Sequence, residues 1–165
     1  MTEHSRPFPK VRPDQWRTLC REECDREPPE ALRRGSQQFN AGLYWECHET
    51  LEDLWAAEPA DVRYLYQGVL LIGVGMLHLH RHNYHGATTK LSSGLDLLQS
   101  FEPTCMRLDV AALRTQAARV LLVLADGPKG LEAALGHTPP RCAFIEQRES
   151  RERAGRPSSS NTNCG

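Results

Sequence analysis

A chain of 165 residues is long enough for one domain with a real core and too short to make two the expectation. Its 20 Lys and Arg against 21 Asp and Glu leave a formal charge of -1, so there is no global basic field to gather nucleic acid or an anionic membrane. Neither a secretory leader nor a run of about 18 apolar residues occurs, so the expectation is a cytoplasmic protein with no membrane and no nucleic-acid partner.

Residues 1–12 hold Pro7 and Pro9 among scattered charges without periodicity, which predicts a disordered arm, followed by a single helical domain over 13–136. Asp14 can cap a helix reaching to about residue 26, with Trp16, Leu19 and Cys20 as its modest apolar side, and Pro28-Pro29 ends it. A second helix begins at Glu30 with Pro29 at its first turn, buries Leu32 and Phe39, and stops at Gly42. The next starts near Tyr44 and closes before Pro59. Asp61 opens the third long helix, whose centre over 69–77 is apolar on all sides. Gly68, Gly73 and Gly75 are costly in an exposed helix but let a neighbouring backbone approach, so this is read as the central helix. Used between copies, the same stretch, 61–82, would make a homodimer.

Asn83-Tyr84-His85-Gly86 breaks that helix, and a fourth turns Ala87, Leu91, Leu95 and Leu98 inward before Pro103. Asp109 caps a fifth over 110–125, with Leu113, Ala117, Val120, Leu121 and Leu124 at helical spacing, and Asp126-Gly127-Pro128 ends it. A brief turn of helix over 131–135 docks before Gly136. Residues 146–165 turn from Glu/Arg-rich to Ser/Asn-rich and predict a disordered tail. No strand-like alternation of useful length is present, so the class is all-α: a compact bundle of five to six helices built from antiparallel helical hairpins. Tyr44, Cys47, Leu51 and Trp55 echo Tyr84, Ala87, Leu91 and Leu95 at a spacing of forty residues. Two hairpins side by side would produce this, as would chance similarity between amphipathic helices.

Six cysteines are present without a Cys-x-x-Cys, and a cytoplasmic chain keeps thiols reduced, so a disulfide framework is not expected. Cys20 and Cys24 are four apart and could share a helix face as half of a metal site. No second pair with ligand spacing accompanies them, and they are read as structural.

The densest run of aromatic, acidic and imidazole side chains is 39–55. A helix from Tyr44 places Tyr44, Cys47, His48, Leu51, Leu54 and Trp55 on one side with Glu52 at its margin, and turns Glu46, Glu49, Thr50 and Asp53 to water. His48 and Glu52 are one helical turn apart, so both can reach one divalent ion. Further donors lie in His78, His82 and His85, which share a face if the helix continues that far, while His80 points away. Such a site would suit zinc, or iron or manganese with more carboxylates. The plainer readings are a buried His48–Glu52 pair locking two helices, with Gln67 as a further polar partner, and solvated histidines favoured by a helix C-terminus. His48-Glu49-x-x-Glu52 lacks the second histidine of the H-E-x-x-H metalloprotease motif, and no Ser-His-Asp order, phosphate-cradling loop or nucleotide fingerprint is visible.

The block Phe39-Asn40-x-Gly42-x-Tyr44-Trp45-Glu46-Cys47-His48-Glu49-x-Leu51-Glu52-x-x-Trp55 resembles the signature of domain-of-unknown-function family 309 of bacteria and archaea. The family's H-x-x-x-E-x-x-W core falls on His48, Glu52 and Trp55. Its second block resembles Gln67-Gly68, the apolar run to His78, and Asn83-x-x-Gly86-Ala87. The resemblance covers about residues 30–100. It implies helical hairpins and, for a family of unestablished activity, metal binding at the His/Glu motif. Where the family leads one to expect a Gln soon after Gln67-Gly68, this chain has Val69-Leu70-Leu71, which thins the polar shell from that helix.

The sequence therefore supports first a half-buried site of His48 and Glu52, walled by Tyr44 and Trp55, that binds a divalent metal or small polar ligand. A metal with an open coordination position there could activate water for hydrolysis. The alternative is a non-enzymatic interaction module in which that pair only staples the core.

Overall fold

Pro29 starts the first helix of the computed structural model, which describes residues 19–146: it precedes Glu30 and lacks the N–H that a helix start leaves unbonded anyway. The elements are α1 (Glu30–Asn40), α2 (Tyr44–Ala57), α3 (Arg63–His80), α4 (Tyr84–Leu98), β1 (Thr104–Cys105), β2 (Leu108–Asp109), α5 (Val110–Leu124) and α6 (Gly130–Leu135). The expected all-α class holds, with close-packed helices and a strand pair of two residues each. No helix among the described residues is long and apolar enough to cross a membrane.

α3 is the hub, packed along α4 and α2 and touching α6. Its apolar run is used within the chain: Leu65, Tyr66, Val69, Leu70, Ile72, Met76 and Leu79 are all buried. The three glycines singled out in the sequence differ in what they permit. A Cβ on Gly68 would lie 2.7 Å from Leu98, one on Gly75 2.7 Å from Leu91, and one on Gly73 3.5 Å from Phe39. Only the first two mark helix approaches too close for a methyl group.

The forty-residue echo is a structural repeat. Tyr44 and Tyr84 each open a helix, and Cys47, Leu51 and Trp55 are buried as are Ala87, Leu91 and Leu95. Gly35 would strike Leu51 as Gly75 would strike Leu91. The turns match as well. Gly42 (φ 75°) and His82 (φ 55°) both take the left-handed conformation. Each is flanked by the bond pair that closes a helix end, Leu43 N–H to Gln38 O (2.9 Å) with Gly42 N–H to Phe39 O (3.0 Å), and Asn83 N–H to His78 O (2.9 Å) with His82 N–H to Leu79 O (3.0 Å). The hairpins α1–α2 and α3–α4 thus share one construction. Tyr84, His85 and Gly86, expected in a break, already belong to the first turn of α4, capped by the Asn83 side chain accepting from Gly86 N–H.

After α4 the chain passes a cis Glu102–Pro103 bond into the β1–β2 hairpin, and Asp109 caps α5 as expected by accepting from Ala112 N–H. Residues 141–145 return along the bundle. Asn40 bonds both the N–H and the C=O of Cys142 at 2.8 Å, Asp109 N–H donates to Ala143 O and Ile145 N–H to Arg107 O, and Arg33 lies over the Phe144 ring.

The cysteine expectation is corrected. Cys24 and Cys105, 81 residues apart, form a disulfide, and Cys20 is disulfide-bonded too, so this pair is not half of a metal site. Where a helix to residue 26 was expected, the described part holds only a 3-10 turn, Glu22–Asp25. There Cys24 O accepts from Met106 N–H, and Arg21 donates to the carbonyls of Ser100, Glu102 and Thr104, so the segment is set by the β hairpin rather than by its own periodicity. The beginning of that helix, the arm over 1–12 and the tail beyond Glu146 lie outside the described residues.

Candidate functional site

The phase of α2 decides what the motif presents. Tyr44, Cys47, Leu51 and Trp55 pack inward, and Trp45, Glu46, Glu49, Asp53 and Ala56 are exposed. His48 and Glu52 fall on the boundary, with side chains 25% and 44% exposed. His48 Nε2 stands 3.6 Å from Glu52 Oε2, a charge-range contact too long for a hydrogen bond. The pair is carried by one helix and bridges no second one among the described residues.

The aromatic group beside this pair is Trp45. Its ring stacks on His48 at 5.3 Å between centroids with planes 22° apart, although it is itself half exposed. His48 Nδ1 is buried and has no hydrogen-bond partner among the described residues. Tyr44 and Trp55 lie on the buried side of the same helix. Tyr44 packs its ring against Phe39 and His80, each at 5.5 Å, and Trp55 carries the Arg63 guanidinium over its face at 4.3 Å. Gln67 is half-buried on α3, and no hydrogen bond joins it to His48 or Glu52.

The histidine cluster does not share a face, because α3 ends at His80 and the chain turns left-handed at His82. His78 Nδ1 accepts from Asn83 Nδ2 at 3.1 Å, the orientation fixed by Asn83 Oδ1 already accepting from Gly86 N–H. Burial, then Lys90 and Arg81, hold the His78 pKa below its usual value. His80 meets Tyr44, His82 Nδ1 lies 3.8 Å from Glu132, and His85 is exposed on α4.

Two donors 3.6 Å apart come near the edge of a tetrahedron, about 3.4 Å for ligands at ~2.1 Å from an ion. Among the described residues, however, no three His, Cys, Asp or Glu side chains come together around an ion. Among the described residues the free thiols are Cys47 and Cys142, both buried: burial pushes Cys47 up to about 12 and raises Cys142 as well, with Cys47 adding to the shift. The residue that sequence reasoning left unassigned is Trp45. Its signal was present, since positions three apart on a helix are neighbours and Trp45 precedes His48 by three.

Residues 32–89 match the family described as a domain of unknown function (DUF309). The uncharacterised protein YpuF of Bacillus subtilis (strain 168) is 34% identical over 58 residues, which are 34% of this chain and 33% of that protein. The match thus spans about a third of the relative's length. No solved structure matches the chain.

Proposed function

We propose that this chain, whose residues 32–89 belong to the family of domain of unknown function 309, is a helical recognition module that takes a cationic segment of a partner protein on the outer face of α2. The observation that carries this reading is Trp45, half exposed and held flat on His48, with Glu52 beside it and Glu46, Glu49 and Asp53 exposed on the same helix. A half-exposed indole held in one orientation offers an Arg or Lys a ready face, and the surrounding carboxylates complement its charge. His48 and Glu52 act in this reading as contact groups rather than as a staple of the core.

Titration with a hexa-arginine peptide tests it. The expected Kd is roughly 100 µM at low salt, weakening as salt rises and lost in Trp45→Ala, whose thermal midpoint stays that of the parent. Absence of binding, or equal binding by Trp45→Ala, defeats the proposal.

The 3.6 Å separation favours a second reading, a divalent-ion half-site on His48 and Glu52 completed by ligands from outside the described residues. Zinc, or manganese or iron with added carboxylates, would then have open positions at which to activate water for hydrolysis. Equal and negligible metal in the purified parent and in His48→Ala ends that reading. A homodimer through α3 would have to use the half-buried Leu71, Val74 and Leu77, because its glycines already face α1, α2 and α4.

A further inference from the structure

On the other side of Tyr44 from the motif's exposed face, a cavity of about 230 Å³ opens where α1 passes into α2, α3 ends, and α6 with the segment after it closes one wall. Phe39, Met76, Leu79, Leu135 and Pro140 supply the apolar part of a mixed surface. Tyr44 lines it, and its ring is packed so that only 3% of the residue is exposed. The hydroxyl oxygen is not enclosed by protein, and the space open to it is the cavity. The imidazoles of His80 and His137 line the same space. Asn40 does too, but both ends of its amide are engaged by the Cys142 backbone at 2.8 Å.

We propose that this cavity binds a small organic acid, one carboxylate on a compact apolar body, with the Tyr44 hydroxyl and the His80 and His137 imidazoles as its donors. The balance of groups selects that class. No Asp or Glu lines the cavity to hold an ammonium, and no Lys or Arg lines it to demand a phosphate. With the one side-chain amide engaged, what remains is a hydroxyl and two imidazoles, each able to donate to an acceptor-only group. The volume is enough for one ring and a carboxylate, and the apolar part of the wall gains by covering the ring. This site does not rest on the recognition face of α2, since Tyr44 points in where Trp45 points out.

The test is titration of the full chain with benzoate, followed by amide NMR, with benzylamine as the comparison. Benzoate is expected to shift the amides of Gly42, Tyr44 and His80 saturably with a Kd on the order of 1 mM, and the amine not to bind. Tyr44→Phe keeps the ring against Phe39 and His80 and should weaken benzoate about tenfold. Leu135→Trp, from the half-buried wall of α6, should abolish binding by filling the space. Trp45→Ala should bind benzoate as the parent does, which separates this site from the proposal for the α2 face. No saturable shift at tens of millimolar (roughly ten times the expected Kd), equal binding of the amine, or undiminished binding by a folded Tyr44→Phe would each overturn the assignment and leave the cavity to water.

Discussion

His78 shows how one side chain couples a helix end to protonation. Its Nδ1 accepts from Asn83, and Asn83 in turn caps α4 through Gly86 N–H, so the neutral imidazole is the form the turn is built on. Burial, with Lys90 and Arg81 nearby, holds its pKa below the usual value of about 6.5. A base whose pKa is lowered by folding binds its proton more readily when unfolded. Its contribution to stability is therefore complete above about pH 6.5 and is lost as pH falls below that value. Thermal midpoints at pH 8 and pH 5 (each about 1.5 units from the usual value) check this: the parent should lose more on acidification than His78→Gln, which can still accept from Asn83. Equal losses would show that the turn does not depend on the neutral ring. At the same scale, His48 and Glu52 were legible as a pair from their spacing, and Trp45 was legible only once i to i+3 stacking was considered.

Helix pairs set the next scale, where glycines that look alike in sequence separate. A methyl group at Gly75 meets Leu91 Cγ at 2.7 Å and its backbone nitrogen at 3.1 Å, whereas one at Gly73 meets Phe39 at an ordinary 3.5 Å. Replacing a helical glycine by alanine gains up to about 1 kcal/mol from backbone entropy, and forcing a methyl into a filled interface costs ~1–3 kcal/mol. Gly73→Ala should therefore be neutral or stabilising, and Gly75→Ala destabilising by about 1–2 kcal/mol, in urea unfolding of the two variants. The reverse order would mean that α3 and α4 do not meet as described. The disulfide between Cys24 and Cys105 acts between elements as well, closing a loop of 81 residues. Chain-entropy arguments put its contribution at no more than about 4.5 kcal/mol, so a reductant should lower the thermal midpoint measurably, and Cys105→Ser should remove that sensitivity unless the bond at Cys20 supplies it. Such bonds persist in oxidising compartments, so the state of this one in protein taken from cells bears directly on the cytoplasmic expectation.

For the whole molecule, helix boundaries, turns and the inward face of each helix were written locally. Pro29, Gly42, Asn83 and Asp109 start or stop helices through bonds within a few residues, and apolar spacing along α2, α4 and α5 fixed which sides are buried. The all-α class and the central place of α3 follow from those local rules. Contacts between residues far apart in sequence had no such signal. The Cys24–Cys105 bond, the docking of residues 141–145 on Asn40, the left-handed turn at His82 that scatters the histidines, and the cavity behind Tyr44 depend on which surfaces meet. Sequence periodicity gives the direction in which a side chain leaves its own helix, because that angle is set by the helix itself. What the side chain then touches is decided by packing, and only the tertiary structure contains that information.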